Sequence, residues 1–320
     1  MKKFFLAVVT VILALSFSGC AYVVPSLSGI SSSVRITFVD GDVTETREFS
    51  SSSAVDYPEK NAKGNEHFSG WYYDSACTSP VMPGDSLKGE LTLYAGYTVD
   101  LEAVTNKIFS SHIKANVGVE VKSVQGGFFG GSVNSSGSGA IFAEDAIYYY
   151  LLTNDHVVTA SPGYTVTSYT VHDCYGNEYS ASLIDTSPEY DLAVMRIPKG
   201  NDELFVLDMA DEPAERKDFV AAIGQPSGMK NSVTYGEVVN IKVFEGGTDT
   251  SDETSIDFPI IWHDAPVDHG SSGGMLLNSS LELVGINFAI GTSEDGGFIC
   301  GFAVGIEKVK EYLSYLNMFN

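Results

Sequence analysis

Cysteine is scarce in this chain of 320 residues, with only Cys20, Cys77, Cys174 and Cys300. None is paired by spacing, which argues against a disulfide framework and against a zinc motif. A bridge between Cys174 and Cys300 would need an oxidising compartment and cannot be deduced from spacing. Basic residues are few beside the acids, 18 Lys+Arg against 41 Asp+Glu, for a net charge of -23. A surface that negative repels phosphate backbones, so nucleic acid is not an expected partner. The N-terminal apolar run, Phe4 to Phe17, is shorter than the roughly 20 residues that span a bilayer. What the chain has in abundance is 32 Gly, 17 Tyr and 18 Phe, with a hydrophobic share of 44%. That supplies a substantial core and favours short strands joined by tight turns, hence an all-β fold.

Lys2 and Lys3 precede the apolar run, and small residues follow it, the pattern of an export signal spanning residues 1–19. Its removal takes away two lysines and no acid, moving the net charge from -23 to -25. The ending Ser18-Gly19-Cys20 resembles a bacterial lipoprotein signal. That resemblance implies lipidation of Cys20, a membrane contact through acyl chains, and a place in the bacterial cell envelope or at its surface. Residues 20–33 are Ser-rich and aperiodic, as in a tether.

Residues 34–98 form a first folded module. Arg35 to Val39 and Val43 to Phe49 alternate around Asp40-Gly41-Asp42, which predicts a hairpin; His67 to Tyr73 and Leu91 to Tyr97 add strands. The stretch Phe68-Ser69-Gly70-Trp71-Tyr72, then Asp74, Cys77 and Thr78, then Leu91-Thr92-Leu93-Tyr94-Ala95, resembles the Listeria-Bacteroides repeat. The resemblance implies a small β-grasp domain acting as spacer or adhesion unit, with Trp71 in its core. Residues 99–114 read as a linker with a short helix carrying Leu101, Val104 and Ile108 on one side. Beyond it Val117, Val119 and Val121 alternate as a strand, and Gly126 to Gly139 reads as a Gly-Ser loop. Ile306, Val309, Leu313 and Leu316 share a face of a C-terminal packing helix.

Three strand-like islands between residues 115 and 320 each hold one residue needed for hydrolysis by a serine nucleophile. Leu151 to Val158 places His156 at a strand end, Asp191 opens the strand Leu192 to Ile197, and Gly270-Ser271-Ser272-Gly273-Gly274 flanks a serine with glycines. A nucleophile loop must turn sharply and bring bare backbone amides against a carbonyl, which glycine permits. The intervals, 35 residues from His156 to Asp191 and 81 from Asp191 to Ser272, leave room for hairpins. With Ala222-Ile223-Gly224-Gln225-Pro226-Ser227-Gly228, Val233 to Val239, Leu283-Val284-Gly285-Ile286-Asn287 and Gly301-Phe302-Ala303-Val304, the region resembles the chymotrypsin-like serine proteases of the bacterial HtrA/Deg type.

That resemblance implies two six-stranded β-barrels, a His156, Asp191 and Ser272 triad, an oxyanion hole from the amides of Gly270 and Ser272, and substrate pairing along Asn287, Phe288, Ala289 and Ile290. Protein or peptide substrates follow, with no cofactor and no metal; a homo-oligomer, as in the trimers of that group, is compatible. The runs Asp249 to Asp257, His172-Asp173-Cys174, His263 and His269 lack metal-ligand spacing. Where relatives have Asn or Asp before the nucleophile, this chain has Ser271, so the site must be organised without an N-terminal amine pairing with that acid. Asp268-His269 stands where Asn-Pro is common, Pro266 replaces the acid that selects Lys or Arg, and Asn287 replaces the His of glutamyl-specific relatives. Small aliphatic side chains are therefore expected before the cleaved bond. Two rival readings stand beside the endopeptidase: a catalytically silent protease-fold lipoprotein for binding or adhesion, motivated by Ser271 and His269, and a holdase.

Overall fold

The computed structural model of the chain describes residues 33–62, 64–126, 130–225, 231–243, 256–293 and 295–317. The export signal, Cys20, all but the last residue of the tether, Pro226-Ser227-Gly228 and most of the Asp249 to Asp257 run lie outside them. No helix among the described residues is long and apolar enough to cross a membrane.

The chain divides into two compact units, Met1–Tyr57 with Trp71–Tyr94, and Pro58–Gly70 with Ala95–Asn320. In the first, β1 (Val34–Asp40) and β2 (Val43–Phe49) form the expected hairpin, with Asp40 opposite Val43. Gly41 takes φ +57° in the turn, a conformation glycine adopts without steric cost. With β3 (Glu66–Tyr72) and β4 (Gly89–Val99) the sheet order is β2-β1-β4-β3, and β1 runs parallel to β4. The segment between β2 and β3 holds a 3₁₀ turn, Ser52–Ala54, without a buried residue. Trp71 is buried with its ring 4.7 Å from Phe38, edge to face, so it serves as core.

In the second unit α1 (Leu101–Ser110) begins where the Asp100 carboxylate accepts from the Ala103 amide, a cap for an otherwise unpaired donor. Its Val104 and Ile108 belong to the main core. A seven-stranded sheet follows: β5 (Asn116–Gln125), β6 (Ser132–Glu144), β7 (Tyr148–Thr153), β8 (Tyr164–His172), β9 (Glu178–Ser180), β10 (Ser182–Ser187) and β11 (Leu192–Pro198), in the order β10-β11-β7-β6-β5-β8-β9. β9 and β10 are separated by Ala181 alone, β9 pairing with β8 and β10 with β11. One bent strand thus joins both ends of the sheet and rolls it into a barrel of six. The second barrel is closed as β12-β13-β14-β17-β16-β15, from β12 (Phe219–Gly224), β13 (Ser232–Val243), β14 (Pro259–His263), β15 (Met275–Leu277), β16 (Leu283–Thr292) and β17 (Phe298–Gly305). A helix, α3 (Ile306–Tyr315), ends the described chain with Ile306, Val309 and Leu313 buried. One apolar core runs through both barrels, from Val117, Ile141 and Leu192 to Leu283, Ile286 and Val304.

The reading of Gly126 to Gly139 as a loop is corrected. Residues 132–139 lie in β6, paired with β5 from Val124 opposite Ser132 to Val117 opposite Gly139. The glycines are there for close approach rather than for turning. A Cβ on Gly139 would stand 2.8 Å from Leu151 Cδ1 and 3.0 Å from Val117 Cγ2, while one on Gly126 meets nothing within 4 Å. Among the described residues Cys174 and Cys300 are free thiols, with no bridge between them. Accordingly, Gly139→Ala should lower stability by about 1–3 kcal/mol through overpacking, and Gly126→Ala should change it by less than about 0.5 kcal/mol. Urea unfolding midpoints of the two variants measure the contrast.

Candidate active site

β7 delivers Thr153 and Asn154 to the start of α2 (Asp155–Val158), whose first turn carries His156. Asp191 sits in the turn between β10 and β11 at φ +49°, a left-handed conformation that aspartate tolerates better than most residues. Its carboxylate, almost fully buried, faces the His156 ring, with Nδ1 at 2.8 Å from Oδ2 and 3.0 Å from Oδ1. The His156 amide also donates to Oδ1 at 3.1 Å, and Asn154 Nδ2 donates to the Asp191 carbonyl at 2.8 Å. A carboxylate only accepts, so Nδ1 carries the hydrogen and Nε2 is left as the basic nitrogen. The turn is gripped from α3, where Tyr190 donates to Glu311 at 2.9 Å and Tyr312 to Asp185 at 3.0 Å. Thr186 donates to the Asp155 carboxylate.

Ser272 lies in the turn leading into β15, with Gly270 at φ +95° and Gly273 at φ +82°. Around it the backbone is almost fully committed. The Ser271 amide donates to the Asp268 carbonyl, the Gly274 amide to Ser271, the Gly273 amide to Asn287, and the Gly274 carbonyl accepts from Asn287. The Gly270 carbonyl accepts from the Ser138 hydroxyl at 2.7 Å, and the Ser272 carbonyl from the Ser138 amide at 2.7 Å. Among the described residues the amides of Gly270 and Ser272 donate to no backbone carbonyl. Ser272 Oγ rests on the Phe288 carbonyl at 3.2 Å.

β6 joins the two halves of the site. A Cβ on Gly137 would stand 2.8 Å from Val157 Cγ2 and 2.9 Å from the Ser272 carbonyl, so that glycine lies between the residue after His156 and the nucleophile turn. Next to it the Ser138 carbonyl accepts from Thr153 Oγ1 at 2.7 Å, and a Cβ on Gly273 would fall 2.0 Å from that same carbonyl oxygen. Both glycines are required by space.

Residues 137–286 match the family model of the trypsin-like peptidase domain. The periplasmic serine endoprotease DegP of Escherichia coli (strain K12) is 35% identical over 196 residues, 60% of this chain and 38% of DegP. A probable periplasmic serine endoprotease, DegP-like, of Brucella suis is 33% identical over 183 residues, 57% of this chain and 33% of the relative. The chain thus spans between a third and two fifths of the length of these relatives. A solved structure of the HtrA-type protease AlgW with a decapeptide aligns with a TM-score of 0.54 and 27% identity, covering 66% of this chain and 65% of that one. The double barrel is the trypsin-like peptidase fold.

Within this trypsin-like frame, several residues hold positions that spacing alone did not reveal. Ser271 is buried, and its Oγ accepts from the Asp268 amide at 3.3 Å while its own amide donates to the Asp268 carbonyl. That local staple ties residues 268–271 without a charged partner. Ser138, expected within a Gly-Ser loop, lies in β6. His263, read as structural, is fully buried and faces Asn287 Oδ1 through Nε2 at 3.0 Å. Asn287 Nδ2 donates to the Met275 carbonyl at 3.3 Å, which fixes the amide orientation and makes His263 Nε2 the donor. Asn287 therefore commits both main-chain groups to the nucleophile turn and its side chain to His263 and Met275. Ala289 and Ile290, only half-buried, are the more open part of the strand expected to meet substrate. Among the described residues no group of His, Cys, Asp and Glu is arranged to hold a metal ion.

Burial lowers the His263 imidazole to about 4, against the pull of its bond to Asn287. A folded value below the unfolded 6.5 means that the unfolded chain binds more protons between about pH 4 and 6.5, so stability falls as pH falls through that window. At about 1.4 kcal/mol per unit, the native protein should lose about 2 kcal/mol more stability between pH 7 and pH 5 than His263→Gln, which keeps a donor but does not titrate. Chemical denaturation at the two pH values gives the difference.

Proposed function

We propose that this chain is an exported serine endopeptidase of the HtrA/Deg type, cleaving peptide bonds through an acyl-enzyme. The observation that carries the reading is the state of the nucleophile turn. Its carbonyls and its other amides are largely taken up by backbone and side-chain bonds, while among the described residues the amides of Gly270 and Ser272 donate to no backbone carbonyl, beside a bonded His156–Asp191 pair. In the proposed reaction Ser272 Oγ attacks the substrate carbonyl carbon as its proton passes to His156 Nε2. The carbonyl oxygen takes up the negative charge facing the Gly270 and Ser272 amides, where one such donor is worth about 3 kcal/mol in the transition state. His156 then protonates the leaving amine as the C–N bond breaks, and water, deprotonated by the same nitrogen, releases the acid. Asp191 holds the ring in its Nδ1–H form and stabilises the cation.

The relatives, periplasmic serine endoproteases, and the solved HtrA-type neighbours with a decapeptide and a tripeptide support protein or peptide substrates and export. An extended substrate would pair along Phe288 to Ile290 in this reading, with small aliphatic side chains before the cleaved bond. Cys20 would carry the lipid and residues 20–33 the tether, setting a β-grasp module (34–98), a linker (99–114) and the protease domain (115–320) at the envelope surface. Ser271, bonded locally to Asp268, supports a site formed without cleavage of a propeptide.

Purified residues 21–320 should react with a fluorophosphonate probe at neutral pH, and Ser272→Ala should abolish the reaction. Asp191→Asn should slow hydrolysis of an unfolded protein by about 10⁴-fold, because the ring would take the wrong tautomer. Folded protein that stays unlabelled and leaves an unfolded substrate intact would put the silent binding scaffold first.

A further inference from the structure

Ser138 is a fully buried polar residue to which the proposed mechanism assigns no step. All its polar groups are engaged. Its amide donates to the Ser272 carbonyl at 2.7 Å, its carbonyl accepts from Thr153 Oγ1 at 2.7 Å, its hydroxyl accepts from the Gln225 amide at 2.8 Å, and the hydroxyl donates to the Gly270 carbonyl at 2.7 Å. The direction of the last bond is fixed, because a backbone amide can only donate and a hydroxyl has one hydrogen. The hydrogen of Ser138 must therefore point to Gly270.

The peptide between Gly270 and Ser271 is held at both edges. Its carbonyl meets Ser138 Oγ, and its N–H meets the Asp268 carbonyl at 2.9 Å. Rotation of that plane about the line joining its two Cα atoms would break both bonds. With the plane fixed, the Gly270 nitrogen stands at a set place on one side and the Ser272 amide on the other. Gly270 at φ +95° has no side chain to hold it there, so an outside restraint is needed. The Ser138 amide adds a second restraint two peptides later, at the Ser272 carbonyl. Ser138 also reaches both barrels, through Thr153 at the strand before His156 and through Gln225 at the end of β12. Space around it is closed, since a Cβ on Gly224 would stand 3.0 Å from Ser138 Oγ.

We propose that Ser138 is a positioning residue whose hydroxyl sets the spacing and direction of the two oxyanion donors, Gly270 and Ser272. The proposal rests on the endopeptidase reading above. It makes the orientation of the donors a property of a buried hydroxyl in the first barrel acting across to the nucleophile turn in the second. The His156–Asp191 pair does not touch that hydroxyl, so donor geometry and base strength are separable.

The test uses Ser138→Ala, which removes Oγ and keeps both main-chain bonds, and Ser138→Cys, which keeps the shape with a weaker donor. The readouts are kcat and KM on a peptide amide, the affinity of a peptide boronic acid that mimics the tetrahedral species, and the pH dependence of kcat/KM. Ser138→Ala should lower kcat about 10² to 10³-fold, the effect of a mispositioned oxyanion donor, with KM within about threefold. Boronate affinity should fall by a similar factor, the apparent pKa of the pH profile should stay unchanged, and Ser138→Cys should lie between. Wild-type kcat in a folded Ser138→Ala would overturn the proposal, as would a shifted pH profile, which would place the effect on His156. If Ser138→Ala does not fold, Ser138→Cys decides: wild-type kcat and boronate affinity in it overturn the proposal. Failure of the endopeptidase reading is distinct, since wild type and Ser272→Ala would then be equally inert.

Discussion

The backbone of β6 runs so close to the nucleophile turn that no side chain fits between them. Gly137 stands between Val157 and the Ser272 carbonyl, and Gly273 stands against the Ser138 carbonyl and Thr153. Two barrels built from ordinary alternating strands are thereby brought to backbone contact, and the candidate site lies there. Contact at that range lets main-chain groups bond directly, as Ser138 does with Ser272. Such bonds in a water-poor interior are strong because neither partner can turn to solvent. Overpacking at either glycine would displace the turn and the strand before His156 together.

The charged parts of the site are secured by different means. Asp191 is buried, and the cost of that burial is offset by the ring and amide hydrogens of His156 on its carboxylate, while Asn154 holds its carbonyl. The helix α3 contributes from outside the core, with Glu311 on Tyr190 and Tyr312 on Asp185, so the last element of the fold steadies the turn that presents the acid. On the other flank His263 and Asn287 form a neutral buried pair beneath the turn. Within a strongly acidic chain, the candidate site holds one buried carboxylate in a tight cage and otherwise relies on neutral hydrogen bonds.

Much of this was legible in the sequence because it depends on local pattern. Alternation at Val117 to Val121 and Leu192 to Ile197 marked strands, the Asp-Gly turn marked the first hairpin, and the glycines about Ser272 marked a sharp turn. His156 and Asp191 gained meaning only jointly with Ser272, through their order and intervals and then the family resemblance, since a histidine or an aspartate at a strand end is common. What could not be read were contacts between residues far apart in the chain. Ser135 to Gly139 has the composition of a loop, and only its pairing with β5 and the side chains packed over Gly137 and Gly139 make it a strand. Ser271 looked like a missing charge, yet it replaces a long-range ion pair with a bond three residues away. The His263–Asn287 pair spans 24 residues and has no motif of its own. The signal that could have found Ser138 was its position inside the triplet Gly137-Ser138-Gly139.

On the proposed mechanism the turn presents the amides of Gly270 and Ser272 to a carbonyl oxygen beside an activated Ser272. A crystal structure of wild type reacted with a peptidyl phosphonate tests it most directly. The account requires phosphorus bonded to Ser272 Oγ, with a phosphonyl oxygen accepting from both amides at about 2.7–3.1 Å. A phosphonate on another residue, or bonded to Ser272 with its oxygen turned away from both amides, would contradict it.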